Sequence, residues 1–311
     1  MPIPTSRTCD VAEIRLNSEV CTGCGLCVSV CKDYSLEIRN GKAAISANPV
    51  FGCIACGHCM AICPNGAITV EGRFLSATDL FPLPRREEAA AYEPYLNLLR
   101  RRRSVREFKD KPVDRDVIQK ILDAASQAPM GFPPSDVNVL VLDTPEKVSK
   151  FSFAYCDYLK GLRWMTSDWF LTIARPFWGK DNDLLFRNFV KQMMEIFITS
   201  REKGEDTVTY NAPAAFYFYG SPLSDPADPI IVATYAMLAA ESLGLGTTML
   251  GGVHPFIQSG AAAKKFRKSQ GIRNKSKEGL MLIIGYPAVK YKMGINRTFA
   301  HVDFMPDAGP Q

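Results

Sequence analysis

"CIACGHCMAICPNGAITV", residues 53–70, places four cysteines within eleven residues and closes them with a proline. Upstream, "CTGCGLCVSVC" at 21–31 repeats the spacing C-x2-C-x2-C-x3-C, so eight of the ten cysteines fall in two matching runs. No apolar leader precedes them in "MPIPTSRTCD", and disulfide scaffolds persist mainly in oxidising compartments, so metal binding is the expectation. Zinc sites bring their cysteines as separated pairs, whereas three consecutive knuckles followed by a fourth thiolate suit a cubane iron-sulfur cluster. Gly23, Gly25, Gly52 and Gly57 allow the backbone to wrap closely and aim N–H groups at sulfide.

Together with "AEIRLNSEV" before Cys21 and "PNGAITV" after Cys63, the runs resemble a two-cluster bacterial ferredoxin over residues 10–72. The resemblance implies a short strand from each half, paired about a pseudo-two-fold axis. It also implies two 4Fe-4S clusters with crossed ligands: Cys21, Cys24, Cys27 and Cys63 for one, and Cys53, Cys56, Cys59 and Cys31 for the other. Lys32 stands where a proline usually follows the fourth cysteine, so a shifted potential and an intact site are expected there. His58 reads as an exposed spacer, and Cys9 and Cys156 as ordinary thiols outside the pattern.

The 311 residues, 47% apolar, suffice for more than one buried core. The longest nearly apolar stretch, "IIVATYAMLAA" at 230–240, ends at Glu241, well short of the ~18 residues of a membrane span. A cytoplasmic protein without a membrane span is expected. Residues 1–75 hold equal numbers of basic and acidic side chains, so the net +5 lies entirely in the remainder. After Gly72, "RFLSATDLFPLPRREEAAAYEP" reads as an extended linker with one helical turn. The expected division is a ferredoxin-type domain at 1–75, a linker at 76–91 and a second domain at 92–311.

In that second domain "YLNLLRRRRSVREF", "DRDVIQKILDAASQA" and "PIIVATYAMLAAESLG" carry helical patterns, and "VNVLVLD", "AAFYFYG" and "GLMLIIGYP" read as strands. No Rossmann fingerprint or P-loop occurs. "RRRSVREF", 101–108, would by itself suit a solvated basic face or a nucleic-acid patch. In an extended segment, however, Arg102, Ser104 and Arg106 alternate onto one side, where guanidinium forks and a hydroxyl can hold a phosphate.

Three further stretches follow in order: "SQAPMGFPPSDVNVLVL" from 126, "AAESLGLGTTMLGG" from 239 and "IIGYPAVKYKMGINR" from 283. With "RRRSVREF" they make residues 92–300 similar to an FMN-dependent nitroreductase, and the whole chain similar to a ferredoxin-nitroreductase fusion. The fold class expected is α+β: a small ferredoxin-type domain, then an α/β/α nitroreductase-type mixed-sheet domain, dimeric. The resemblance implies an FMN phosphate held by Arg102, Arg103, Ser104, Arg106 and Arg297, with Lys290 and Lys292 as alternatives to the last. It further implies that the backbones of Met130, Gly131, Leu250, Gly251 and Gly252 lie along the isoalloxazine. Pro133 and Ser135 stand where many members have asparagine and glutamine, so substrate preference does not carry over. "SLGLGT" also reads as a helix C-cap at Gly244 and a turn.

The aromatic segment 151–197 holds Trp164, Trp169 and Trp178; core and dimer packing, an aromatic substrate lid and interfacial membrane attachment are its three readings. The expected function is an iron-sulfur flavoprotein oxidoreductase that passes electrons through two 4Fe-4S clusters to FMN and on to a nitro, quinone or enone acceptor. Its donor would be a low-potential carrier such as ferredoxin, or NAD(P)H, in an anaerobic setting, and its assembly a homodimer. No side chain in these motifs stands out as a proton donor, so no catalytic residue is assigned. The alternatives are a flavin electron-transfer adaptor for a partner protein and an iron-sulfur redox sensor. The lack of a DNA-binding motif counts against the sensor, and no nucleic-acid partner is expected.

Overall fold

In the computed structural model, which describes residues 2–305, the chain begins with β1 (Glu13–Leu16), α1 (Leu26–Val30), β2 (Leu36–Arg39), β3 (Lys42–Ile45), α2 (His58–Ile62) and β4 (Ile68–Glu71). The repeated cysteine spacing produces repeated geometry. Gly25 and Gly57 precede the two helices at the same φ of 76°, and Cys31 and Cys63 end them in extended conformation, donating to Val28 O and Met60 O. β1 pairs antiparallel with β4, and β2 with β3 across Asn40 and Gly41, both at positive φ. A small core of Ala12, Cys27, Leu36, Ala55, Cys59, Met60, Ile68 and Val70 lies between the two pairs.

Residues 77–91 run exposed, with two 3-10 turns at Ala77–Asp79 and Arg86–Glu88 rather than one helical turn. The second body follows with α3 (Tyr92–Arg101), α4 (Arg115–Ser126), β5 (Asn138–Leu142), α5 (Pro145–Gly161), α6 (Asp168–Leu185), α7 (Lys191–Glu202), β6 (Ala214–Tyr219), α8 (Asp228–Ser242), β7 (Gly246–Leu250), α9 (Val253–Phe256), α10 (Ala261–Ser269) and β8 (Gly279–Gly285). The strand order is β5-β6-β8-β7.

Strand alternation builds three layers from this sheet. Ala215, Tyr217, Tyr219, Met281 and Ile283 face Phe151, Tyr155, Leu159 and Met194 of α5 and α7. Ala214, Phe216, Phe218, Leu280, Leu282 and Ile284 face Ile118, Ile121 and Ala125 of α4 and Ala233, Ala236 and Ala240 of α8. Both faces of β6 and β8 are therefore covered, which is why "AAFYFY" and "GLMLIIG" are continuous apolar runs with every residue buried. Each fully buried aromatic or branched side chain contributes roughly 1.5–3 kcal/mol.

Three expectations need correction. All four strands pair antiparallel, and the sheet is mixed only through the parallel bridge of Ser104 to Thr247 at the β7 edge. The helical pattern of "YLNLLRRRRSVREF" stops at Arg101, because Arg102 turns to ψ 125° and Val105 N donates to Thr247 O (3.0 Å). β7 was not foreseen as a strand. Its sequence "GTTML" opens directly after the α8 C-cap, where Gly244 at φ 79° and the bond from Leu245 N to Ala240 O (2.9 Å) close the helix as "SLGLG" suggested.

The aromatic segment divides. α5 and α7 supply core, whereas Trp164 in the 3-10 turn at Arg163–Thr166, and Trp169 and Phe177 of α6, a helix broken at Gly179 (φ 87°), are at least half exposed. No helix among the described residues is long and apolar enough to cross a membrane.

Candidate functional site

Cys21, Cys24, Cys27 and Cys63 line one cavity together with Gly23, Gly25, Ala43, Pro64 and Ile68. The fourth thiol thus comes from the second run. Gly23, at φ 71°, has to be glycine here: a Cβ would sit 1.9 Å from Gly41 O. Ala43 N donates to Cys21 Sγ (3.5 Å) and Ala67 N to Cys63 Sγ (3.2 Å), which orient two of the sulfurs. The N–H groups of Ala43 and Gly23 hold the Cys21 thiol below its usual range.

In the other set, Cys31 of the first run acts electrostatically on Cys53 and Cys59 of the second. Burial pushes the Cys59 thiol up to about 12, and the thiols whose charges act on it are Cys53, Cys56 and Cys31. Burial also raises Cys53 and Cys27, with Cys56 and Cys31 acting on the first, and Cys63 and Cys21 on the second. Buried thiols pushed upward need a cation to become thiolates, which the iron of a cluster would supply. Among the described residues, no three His, Cys, Asp or Glu side chains converge tightly enough for a single metal ion. Four thiols lining one cavity, as Cys21, Cys24, Cys27 and Cys63 do, suit a cluster. His58 and Lys32 are exposed, with Lys32 Nζ donating to Ser29 O (2.8 Å); Cys9 is exposed and Cys156 buried.

In the nitroreductase-like second body, the backbone of Ser104 and Val105 lies against β7. Gly246 allows this approach, since a Cβ there would meet Val105 Cγ2 at 2.7 Å and its Cβ at 2.8 Å. Thr248 Oγ1 donates to Val105 O (2.6 Å), while Thr247 Oγ1 is buried without a hydrogen-bond partner beside Ser104. Arg102 is half-buried, and burial and the charges of Arg297 and Arg103 push its pKa down, although an arginine stays charged. Glu241 is the carboxylate acting against this group of cations; burial raises its own pKa. The C-terminal stretch passes over the same place, with Tyr291 Oη donating to Ser104 O (3.4 Å). Crowded guanidinium groups and an unpartnered hydroxyl fit a dianionic phosphate.

Not every expected residue joins this group. Arg106 is exposed and its guanidinium stands 5.8 Å from the Tyr210 ring centroid. Lys290 and Lys292 are exposed. Leu250, Gly251 and Gly252 continue from β7 into α9, with Gly251 facing open space and Gly252 O accepting from Tyr155 Oη (3.0 Å). Met130 is exposed, and Gly131 lies at the start of α8, where its N–H donates to the Asp228 carboxylate (3.1 Å). That N–H points into this chain's own helix, a use the sequence reading did not anticipate.

A model of the nitroreductase family matches residues 99–286, and one of a 4Fe-4S dicluster domain matches residues 13–64. The chain belongs to the nitroreductase family. Its nitroreductase domain follows the 4Fe-4S dicluster domain in one polypeptide, and it is an oxidoreductase of nitroreductase type. Among solved structures, a nitroreductase with bound FMN from Desulfitobacterium hafniense is 21% identical, covering 67% of this chain and 98% of its own, with a TM-score of 0.48. One with bound FMN from Bacteroides fragilis is 19% identical over the same shares, with a TM-score of 0.48. An FMN-dependent nitroreductase from Clostridium difficile is 20% identical, covering 67% and 99%, with a TM-score of 0.41. No curated protein matches the chain.

Two groups escaped the sequence reading, and both join the dicluster domain to the nitroreductase domain. Asp136, buried at the start of β5, accepts from Ser6 N (2.8 Å), Ser6 Oγ (2.8 Å) and Ser221 Oγ (2.8 Å). Arg73 is buried, and its guanidinium donates to four backbone carbonyls, one of them Pro133 O. No spacing or periodicity marks either residue, because each acts through contacts distant in sequence.

Proposed function

We propose that the chain carries two 4Fe-4S clusters, on the crossed cysteine sets, and one FMN, and that it reduces an electron-poor organic acceptor of nitro, quinone or enone type. The observation that carries this reading is the gathering of thiols from both runs on a domain bonded directly to a nitroreductase domain. Iron-sulfur clusters supply single electrons, and a flavin collects two for delivery with protons to an organic acceptor. A low-potential one-electron carrier is therefore the favoured donor over NAD(P)H, which would hand hydride to a flavin without any cluster.

The chain's own residues would bind and orient. Arg102, Arg103, Ser104 and Arg297 would hold the flavin phosphate, Thr247 would supply a buried hydroxyl beside it, and the Gly251–Gly252 turn would leave room for the ring. The domains would divide at 76–91. A homodimer is proposed because apolar side chains of the C-terminal stretch lie open, Met293, Ile295, Phe299 and Phe304 each being more than three-quarters exposed. Arg106 has the weakest support as a phosphate ligand.

Composition is the first test. The anaerobically purified chain is expected to contain about eight iron and eight acid-labile sulfide atoms, with one FMN. About one zinc per chain without sulfide would overturn the iron-sulfur reading. Flavin affinity then tests the phosphate site: Arg102→Ala removes charge-assisted contacts worth about 1.5–3 kcal/mol, so FMN Kd is expected to rise at least tenfold. An unchanged Kd would reject Arg102 as a ligand.

A further inference from the structure

We propose that Arg73 is a positioning residue that sets the Cys53–Cys56 loop against the nitroreductase domain, so that the Cys31, Cys53, Cys56 and Cys59 set lies on the flavin side and the Cys21, Cys24, Cys27 and Cys63 set on the donor side. This rests on the iron-sulfur reading above. Arg73 is only 5% exposed. Its Nε donates to Ile54 O (3.2 Å), in the loop between the ligands Cys53 and Cys56; its Nη1 donates to Asp10 O (2.5 Å), and its Nη2 to Ile3 O (2.9 Å) and Pro133 O (2.8 Å). One side chain thus bonds a cluster loop on one side and, on the other, a carbonyl two residues beyond Gly131.

Backbone conformation supports a special role. Arg73 at φ 51° and Phe74 at φ 63° both occupy the left-handed region, in a turn closed by reciprocal bonds between Gly72 and Leu75 (3.0 Å each). Such conformations are costly for residues with a side chain and persist where the surroundings impose them. Here the imposed conformation aims the guanidinium inward.

Charge points the same way. Arg73 forms no ion pair with a carboxylate among the described residues; backbone carbonyls alone surround its guanidinium. A buried cation calls for a counter-charge, and a cluster held by four thiolates, carrying net negative charge, would supply it at this loop. Among the described residues, every hydrogen bond joining 2–75 to 92–305 runs through Ser6 or Arg73, and none involves the first cysteine run. The second run is consequently the one fastened to the flavin side.

The test uses the full-length holoprotein under anaerobic conditions, with Arg73→Met and Arg73→Lys. Amide exchange over residues 130–137 is expected to rise at least about tenfold in Arg73→Met while β6 and β8 stay protected. In an EPR-monitored redox titration the potential of one cluster should fall and the other stay. The shifted signal should survive Cys24→Ala and vanish with Cys56→Ala. Arg73→Lys should restore the potential but not the exchange protection, since it keeps the charge and loses the fork. Ser6→Ala, which loosens the junction without touching the charge, should raise exchange alone. Unchanged exchange and potentials, or a shift confined to the Cys24-dependent signal, would overturn the proposal. A chain without iron and sulfide would instead defeat the reading beneath it, and the exchange result would still decide whether Arg73 positions the loop.

Discussion

Cys63→Ala is expected to abolish the cluster held with Cys21, Cys24 and Cys27, and to spare the cluster of its own run. Iron should fall from about eight to about four per chain, with the EPR signal of the surviving cluster retained. The reason lies in local geometry. Cys63 ends α2 in extended conformation and lines the cavity of Cys21, Cys24 and Cys27, where Ala67 N donates to its sulfur at 3.2 Å. Cys31 ends α1 in the matching way and acts on Cys59 across the body. Cys31→Ala should accordingly cost the Cys53, Cys56 and Cys59 cluster. Loss of the Cys53–Cys59 cluster in Cys63→Ala, with the first-run cluster intact, would show uncrossed ligation and contradict this arrangement.

Much of this architecture is legible before any coordinates. Spacing alone marks the two cysteine runs, and the continuous apolar strings at 214–219 and 279–285 announce strands covered on both faces. Periodicity fails where a backbone pairing decides. The helical pattern of "YLNLLRRRRSVREF" runs past Arg101 without a break, yet Val105 is drawn out by its bonds to Thr247 and Thr248, which only the fold brings near, and the extended reading of Arg102–Arg106 holds. β7 is hidden because its Gly246 and two threonines resemble a turn; its strand character comes from Leu250, Met249 and Thr248 pairing with β8.

The candidate site is legible to the same degree. Arg102, Arg103 and Arg297 lie nearly two hundred residues apart at the extremes, and the family pattern alone connects them; the fold sets their charges against each other. Gly131 shows the reverse, since its N–H is taken by Asp228 within the chain. Arg73 and Asp136 could not be found from sequence at all. A single arginine after a glycine and a single aspartate before a strand carry no periodic or spacing signal, and their importance arises from burial and from the partners that burial supplies.

The second large effect concerns the route of the electrons. If the dicluster domain feeds the flavin, then Cys24→Ala combined with Cys56→Ala, which removes one ligand from each crossed set, should leave FMN bound through Arg102, Arg103 and Arg297 yet cut it off from one-electron donors. Both variants lie in the dicluster domain, away from the three layers of the nitroreductase core, so the flavin domain should remain folded and loaded. The most direct measurement is anaerobic stopped-flow reduction of the bound flavin by reduced ferredoxin, in the wild-type and doubly substituted chains, with flavin content matched. The rate should fall to the bimolecular background of the carrier in the variant, while any direct reduction by NAD(P)H is unchanged. Flavin reduction by ferredoxin at the full wild-type rate without the clusters would contradict it.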